Sequence, residues 1–384
     1  MIPPSDKELL RSLALGSLTE PQKEFVAQLL KNSEEARREY RLMQALYSID
    51  NEREELLKRI EDITKEGFSE LEQDVFLYQS RRNSVFQQYL KLSHYGQGTK
   101  GDSFQIRFLP IELFKTDLIQ TGNWEAQKVF LSSGTTGMIR SQHAVRSLQY
   151  YHMNCLSIFN DLVMPVINPE RKPLQWLGLL PGYLENPHSS LISMVYALST
   201  MLDHSSEAMI TSDGQRVMEA LRSGQKDSFL TILFGVSFAL VDLAQSIGTY
   251  TGKICIVETG GMKTDRRNMQ KSEILNIIKT AFPNAQVISE YGMTELTSQA
   301  YSTDGRWYQM PPKMKVRITA TDDPWLVLPP GRRGRINITD LGNLDTCSFI
   351  QTGDAGIVDE NGRLEVLGRL QDEELRGCNL MYNG

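Results

Sequence analysis

The sequence of 384 residues has few cysteines, no long apolar run and no excess of basic side chains. Its four cysteines (Cys155, Cys255, Cys347 and Cys378) are far apart and form no CxxC pair, which argues against a disulfide framework or a zinc site. No apolar run approaches the roughly 18 residues that cross a bilayer. The N-terminus MIPPSDKELLRS lacks the basic-then-apolar order of a signal peptide. The sequence therefore predicts a cytoplasmic protein without a membrane span.

The charge balance is mildly acidic. There are 41 basic and 47 acidic side chains, for a net charge of −6, so no basic excess is present to neutralise nucleic-acid phosphates. Apolar residues make up 40% and charged residues 23%, as is usual for a globular protein. At about 100 to 200 residues per domain, the length allows two or three domains. We therefore expect an enzyme or a binding protein that does not bind nucleic acid.

The first 95 residues or so have the pattern of helices. Thr19, Glu20 and Pro21 follow the order expected at a helix start, with the proline in the first turn. Ser69 and Glu72 have the spacing of a capping box ahead of an amphipathic run. The predicted boundaries are a helical N-terminal extension at 1–66, an α/β core at 67–310, and a β subdomain with a C-terminal tail at 311–384.

From residue 108 to about 297, short apolar runs alternate with helix-like segments. The runs end in turn-forming glycines and read KVFLSSG, LQWLGLLPG, FLTILFG, KICIVETGG and AQVISEYG. This pattern is typical of parallel strands that lead into loops at the carboxyl edge of a sheet, where ligands bind. Between residues 315 and 367 the strands are shorter and closer together, which indicates a small β subdomain. The fold class predicted is α/β, with mainly parallel sheets flanked by helices.

A loop of small and hydroxyl residues follows the first of these runs. It reads SSGTTG and comprises Ser132, Ser133, Gly134, Thr135, Thr136 and Gly137. Backbone N–H and hydroxyl donors without large side chains can surround a polyphosphate. The loop is not a Walker A sequence, because no Gly-Lys-Ser/Thr ends it.

Four further strings follow the loop: ETGG at 258–261, YGMTE at 291–295, TGD at 352–354 and GR at 368–369. In this order, the five strings resemble the signatures of the acyl-adenylate-forming superfamily, which includes acyl-CoA synthetases, luciferases and adenylation domains. The resemblance implies an adenylate-forming large domain that uses ATP and Mg²⁺. It also implies a reaction that joins a carboxylate to the α-phosphate of ATP, for which charge stabilisation is the main task.

The resemblance implies roles for the residues that react with the phosphates. The loop would hold the β- and γ-phosphates, with Thr135 and Thr136 as donors. Thr294 would donate to the α-phosphate, and Glu295 would supply an oxygen ligand to Mg²⁺. Arg140 is the cation nearest to the position where the superfamily has a lysine, and it would act as a planar fork rather than a point charge.

Other residues would bind the nucleoside. Tyr291 would offer its aromatic face to the adenine, and Asp354 would accept both ribose hydroxyls. The remaining residues that the resemblance places around the nucleotide are Gly260, Gly261, Gly292, Met293 and Arg369. Neither His143 nor His188 has the neighbouring ligands that a metal site requires.

One branch of the superfamily is more similar than the others. The segments FLPIELFK at 108–115 and LPGYLE at 180–185 resemble the acyl-protein synthetase (LuxE-like) family, over roughly residues 68 to 384. That family activates a fatty acid and then carries the acyl group on a cysteine near the C-terminus, a position that Cys378 matches. A thiolate is a good acceptor for an activated acyl group. The resemblance implies a fatty acid substrate and an acyl-accepting partner protein such as a reductase.

Two alternatives remain open. The first is a phenylacetate–CoA ligase-like enzyme that releases free acyl-CoA. Because such enzymes continue past the GR string into a mobile domain of about 100 residues, and this sequence ends soon after Arg369, the sequence favours the acyl-protein synthetase. The second is a catalytically inactive nucleotide-binding scaffold, which the missing loop lysine leaves open. Cys155, Cys255 and Cys347 lie in apolar or strand-like contexts and are predicted to be buried.

Overall fold

The computed structural model describes residues 2–14, 19–64, 66–93, 105–133, 139–181, 184, 186–202, 208–223, 229–260 and 269–370. The chain divides into two compact units, Met1–Ile63 and Thr64–Gly384. The boundaries predicted at 66/67 and 310/311 stay predictions. Some predicted site residues lie outside the described residues: Gly134, Thr135, Thr136, Gly137, Gly261 and Cys378.

The first unit is helical, as the sequence predicts. Its helices are α1 (Pro4–Ala14), α2 (Glu20–Asn32) and α3 (Glu34–Glu61). Helix α2 begins at Glu20, where the Gln22 side chain accepts hydrogen bonds from the Thr19 backbone N–H at 3.0 Å and the Thr19 hydroxyl at 2.9 Å. Its small core contains Ile2, Leu10, Val26 and Ala36.

The second unit contains the remaining elements. Its helices are α4 (Phe68–Arg82), α5 (Ser84–Leu92), α6 (Leu113–Thr116), α7 (Leu148–Leu162), α8 (Met164–Ile167), α9 (Ser190–Met201), α10 (Gly214–Ser223), α11 (Ser237–Ile247) and α12 (Lys271–Ala281), with a 3₁₀ turn at Leu341–Asn343. Its strands are β1 (Leu109–Pro110), β2 (Lys128–Leu131), β3 (Gln142–Val145), β4 (Leu174–Leu179), β5 (Met209–Thr211), β6 (Leu230–Val236), β7 (Ile254–Thr259), β8 (Ala285–Tyr291), β9 (Ala300–Ser302), β10 (Trp307–Tyr308), β11 (Met314–Thr319), β12 (Gly334–Asp340), β13 (Phe349–Val358) and β14 (Leu364–Arg369).

A mainly parallel sheet forms the centre of this unit. Its strand order is β5-β4-β6-β7-β8-β9, with β9 antiparallel to β8 and the other neighbours parallel. Strands β4, β6 and β7 are almost entirely buried, as expected for strands covered by helices on both faces. The predicted α/β class is therefore confirmed.

A second sheet has the strand order β10-β14-β13-β12-β11, with antiparallel neighbours, and β1 lies parallel to β13. This sheet confirms the predicted small β subdomain. Helices α4 and α5 are anchored to the segment before β13: the Gln79 side chain donates to the Asn343 and Leu344 carbonyls at 3.0 Å, and Asn83 donates to the Thr346 carbonyl at 2.8 Å.

Two local predictions were wrong. KVFL does not join the parallel sheet, because β2 pairs antiparallel with β3 as a separate two-stranded sheet. Ser69 and Glu72 do not form a capping box, because α4 already begins at Phe68 and Glu72 is used elsewhere. The buried Glu72 carboxylate accepts hydrogen bonds from both terminal nitrogens of Arg317 at 2.5 Å and from the Thr339 hydroxyl at 2.7 Å.

Among the described residues, no helix combines the length and the apolar character that a membrane crossing needs.

Candidate active site

The segment Tyr291–Glu295 begins at the carboxyl end of β8, at the edge of the parallel sheet where ligands bind. It closes in a turn in which the Leu296 N–H donates to the Met293 carbonyl at 3.1 Å. A Cβ atom at Gly292 would meet the Glu290 carboxylate, so a larger residue there would require that side chain to move.

Asp354 on β13 connects the second sheet to this segment. The Tyr291 hydroxyl donates to Asp354 Oδ2 at 2.9 Å, and Arg369 Nε lies 3.1 Å from Asp354 Oδ1. Burial, together with the Asp354 charge, raises the pKa of Tyr291 well above its ordinary value, so the hydroxyl stays a donor. The structure thus brings together three of the residues predicted to bind the nucleoside. Tyr308 lies against Tyr291, with ring centroids 5.8 Å apart, and the sequence did not predict it.

Glu295 is buried, with 5% of its surface exposed. Its backbone carbonyl accepts a hydrogen bond from the Asn343 amide at 2.8 Å. In the described part of the chain, no hydrogen bond or ion pair reaches its carboxylate. Its carboxylate oxygens are not among the fully buried polar atoms that lack a partner, so they are accessible to a cation. Mg²⁺ commonly binds one or two protein carboxylates together with substrate phosphates, which agrees with a lone glutamate here. The described residues contain no cluster of three or more metal-ligating side chains.

In the sequence, the SSGTTG loop lies between β2 and β3, and hydrogen bonds join the residues on its two sides. The Ser132 N–H donates to the Ser141 carbonyl, and the Ser141 N–H donates to the Ser132 hydroxyl oxygen, both at 3.0 Å. Ser133 is exposed, and Arg140 is half-buried on the returning side. Residues 134–138 lie outside the described residues, so the predicted phosphate contacts stay predictions.

The ETGG string lies at the end of β7, but its glutamate does not face an open site. Glu258 is buried, and its carboxylate is bound by the Lys271 ammonium and the Ser237 hydroxyl. The Ser237 hydroxyl also lies 2.9 Å from the Gly260 carbonyl. Gly260 has a φ of +96°, a conformation that glycine adopts without strain, so the chain turns away from the strand there. Glu258 therefore holds the strand end together.

Behind the segment lies a buried network that the sequence did not predict. Asp340, at the end of β12, accepts the Thr297 and Ser298 N–H groups on Oδ2, at 3.0 and 2.8 Å. Its Oδ1 accepts the Ser298 hydroxyl at 2.7 Å and the Gly342 N–H at 3.0 Å. Asn343 adds bonds to Thr297 and to the Glu295 carbonyl. The network ties the segment to the second sheet.

His143 on β3 also holds this segment. Its Nδ1 lies 2.7 Å from the Thr294 carbonyl oxygen, and its Nε2 lies 3.2 Å from the Thr346 hydroxyl. Burial lowers the pKa of His143 to about 4, so the ring is neutral near pH 7. His188 is exposed, with its Nδ1 3.0 Å from the Val129 carbonyl oxygen.

Cys155, Cys255 and Cys347 are fully buried, as predicted. Burial raises the pKa of Cys155 and of Cys347 to about 12 and raises that of Cys255 further. These thiols are therefore protonated and poorly reactive near pH 7.

No protein-family model matches the chain, and no curated protein matches it. Among solved structures, it is similar to ATP-bound MatB from Rhodopseudomonas palustris, with 18% identity, a TM-score of 0.45, and coverage of 63% of this chain and 47% of that one. O-succinylbenzoate coenzyme A synthetase (MenE) from Bacillus subtilis, in complex with ATP and magnesium ion, is 19% identical, with a TM-score of 0.46 and coverage of 64% and 51%.

Amide bond synthetase McbA from Marinactinospora thermotolerans is 17% identical, with a TM-score of 0.43 and coverage of 72% and 53%. The chain thus spans about half the length of these structures. At such identities and TM-scores, the likeness supports no conclusion about activity.

Proposed function

We propose that this chain activates a carboxylic acid with ATP. In the first half-reaction, a carboxylate oxygen attacks the α-phosphorus of ATP. The bond between that phosphorus and the bridging oxygen of pyrophosphate breaks, which yields acyl-AMP and pyrophosphate.

One observation carries the proposal: two elements with different chemistry meet at the end of β8. Tyr291 and Asp354 form a hydrogen-bonded pair with polar and aromatic surface suited to a nucleoside. Four residues further along the chain, the Glu295 carboxylate has no hydrogen-bond or ion-pair partner in the described residues. An adenosine site beside a carboxylate that fits Mg²⁺ is what a nucleoside triphosphate requires.

In the proposed reaction, different residues of the chain would bind the ribose and the phosphates. Each oxygen of Asp354 has one protein partner and retains a lone pair for a ribose hydroxyl. Thr294, at the surface of the turn, would donate to the α-phosphate, and the SSGTTG loop would hold the terminal phosphates. Bound at Glu295, Mg²⁺ would supply positive charge against the phosphates.

The second half-reaction in the proposal uses Cys378. Its thiolate attacks the carbonyl carbon of acyl-AMP, AMP leaves, and the acyl group remains as a thioester. The acyl group then passes to a partner protein such as a reductase. The LuxE-like segments favour a fatty acid as substrate. The three buried cysteines are not expected to accept the acyl group instead, because burial raises the pKa of each of them and keeps the thiols protonated.

The test measures intact mass after incubation with Mg·ATP and a panel of fatty and aryl acids, alongside ATP–pyrophosphate exchange. We expect a hydroxylamine-labile acyl adduct on the wild type that Cys378→Ser abolishes. The matched control is Cys347→Ser, which removes a fully buried thiol and should leave the adduct in place.

Exchange without an adduct would overturn the thioester step and favour transfer to free coenzyme A. No exchange with any acid would overturn acyl activation as a whole and favour the nucleotide-binding scaffold.

A further inference from the structure

His143 forms a direct link between strand β3 and the Tyr291–Glu295 segment. The residue is buried, and its ring packs edge-to-face on Phe114 at a centroid distance of 6.2 Å. Because the Thr294 carbonyl can only accept, Nδ1 carries the proton of the 2.7 Å bond. In the neutral ring, Nε2 then accepts from the Thr346 hydroxyl at 3.2 Å. These two partners define the tautomer and the ring orientation.

The position of His143 on β3 connects it rigidly to the loop base. It is paired with Phe130 across the β2–β3 ladder. Two residues earlier, Ser141 makes the paired hydrogen bonds with Ser132 that close the loop. A shift of β3 would therefore move the loop base and the imidazole together.

The other end of the link is the residue that the proposed reaction places nearest to the α-phosphate. The carbonyl of Thr294 precedes Glu295, whose own carbonyl is held by Asn343 at 2.8 Å. The bond from His143 thus holds the peptide plane between a phosphate donor and a metal ligand. Among the described residues, the bond from His143 to Thr294 is the side-chain hydrogen bond that joins β3 to the Tyr291–Glu295 segment.

We propose that His143 is a positioning residue that holds Thr294 at a fixed distance from Ser132 and Ser141, the paired residues at the base of the loop. This inference rests on the proposed function, which assigns the α-phosphate to Thr294. Without the ring, nucleotide would still bind, but the position of Thr294 relative to the loop base would no longer be defined.

A displacement of about 1 Å in reacting groups can cost on the order of a hundredfold in rate. We therefore expect His143→Leu to lower the kcat of ATP–pyrophosphate exchange about tenfold to a hundredfold. The KM for ATP should change by less than about threefold, because ground-state contacts are retained.

The conservative variant is His143→Asn, because the asparagine Nδ2–H can take the place of the imidazole Nδ1–H. It keeps the donor to Thr294 and loses the acceptor for Thr346, so it should recover most of the exchange rate. The matched control is His188→Leu, which also removes an Nδ1 bond to a carbonyl, on Val129, without reaching Thr294. This control should exchange at the wild-type rate.

Urea unfolding of each variant accompanies the kinetics. Equal kcat for His143→Leu and the wild type would overturn the inference and leave the proposed function standing. So would equal losses in His143→Leu and His143→Asn. A wild type that exchanges no pyrophosphate with any acid would overturn both.

Discussion

Asp340 and Asp354 lie on neighbouring strands of one sheet; Asp340 binds the chain that follows β8, and Asp354 binds Tyr291 at the end of β8. Asp340 is fully buried and receives two hydrogen bonds on each oxygen. Asp354 has one partner on each oxygen, and one of these is the largely exposed Arg369. A carboxylate with every acceptor site occupied stabilises the fold, whereas one with unused acceptor capacity at a strand end can bind a ligand.

The largest expected effect comes from Asp340→Ala. It leaves the buried N–H groups of Ser298 and Gly342 without an acceptor, while the Thr297 N–H keeps Asn343 Oδ1, so the free energy of unfolding should fall by about 4 kcal/mol. Urea denaturation measures the loss. Asp340→Asn, which keeps one acceptor oxygen, should lose less. A loss below about 1 kcal/mol for the alanine variant would remove the distinction between the two aspartates.

The next effect compares two glutamate–arginine forks. Glu72→Gln leaves Arg317 largely buried without its counter-ion, and it should lower the free energy of unfolding by about 3 kcal/mol. The control, Glu365→Gln, breaks the fork on Arg306, whose side chain is 63% exposed, and should have little effect on stability because solvent screens the pair. Equal losses in urea denaturation would mean that burial does not decide the contribution of such a pair.

The pH dependence of stability compares Glu290 with Asp340. It is buried like Asp340, but its described side-chain donor is the Thr259 hydroxyl alone, and burial raises its pKa to about 7. Between pH 4.5 and 7 the folded state binds more protons than the unfolded state, so this contribution to stability is lost as pH rises. Relative to Glu290→Gln, the wild type should lose up to about 3 kcal/mol over that range.

The contribution of His143 to stability depends on pH in the opposite direction. Burial lowers its pKa to about 4, so its contribution is present above pH 6.5 and is lost as pH falls toward 4. Urea denaturation of Glu290→Gln and His143→Leu across pH 4 to 8 separates the contributions of the two residues. Parallel pH profiles for the two variants would contradict the opposite directions of the two pKa shifts.

The smallest expected effect is on binding. Asp354→Ala should weaken AMP binding about tenfold to a hundredfold, or about 1.4 to 2.8 kcal/mol, if Asp354 accepts both ribose hydroxyls as proposed. Its free energy of unfolding should fall by less than that of Asp340→Ala, since it removes the acceptor of the Tyr291 hydroxyl and a contact to the largely exposed Arg369. Calorimetric titration with AMP measures the first and urea denaturation the second. A large loss of stability with unchanged AMP affinity would mean that Asp354, like Asp340, stabilises the fold and does not bind the ligand.

Several features could be predicted from the sequence because they depend on neighbouring residues. The apolar runs predicted β4, β6, β7 and β8, and the order Thr19-Glu20-Pro21 predicted the start of α2. The YGMTE and TGD strings predicted residues that the structure brings together at Tyr291 and Asp354. Other features could not be predicted, because their partners are distant in sequence. KVFL has the composition of a buried parallel strand, yet β3 is its partner, and nothing local distinguishes the two pairings.

By itself, the sequence determined which segments form strands and helices and which chemical groups stand at their ends, since hydrophobic periodicity and turn residues act locally. Only the tertiary structure decided which polar groups face an open site. Glu72 binds Arg317 instead of capping its own helix, Glu258 is held by Lys271, and His143 reaches Thr294. The physical reason is that a buried polar group must find a partner wherever the fold supplies one. Its role is therefore set by neighbours in space, and the sequence does not list those neighbours.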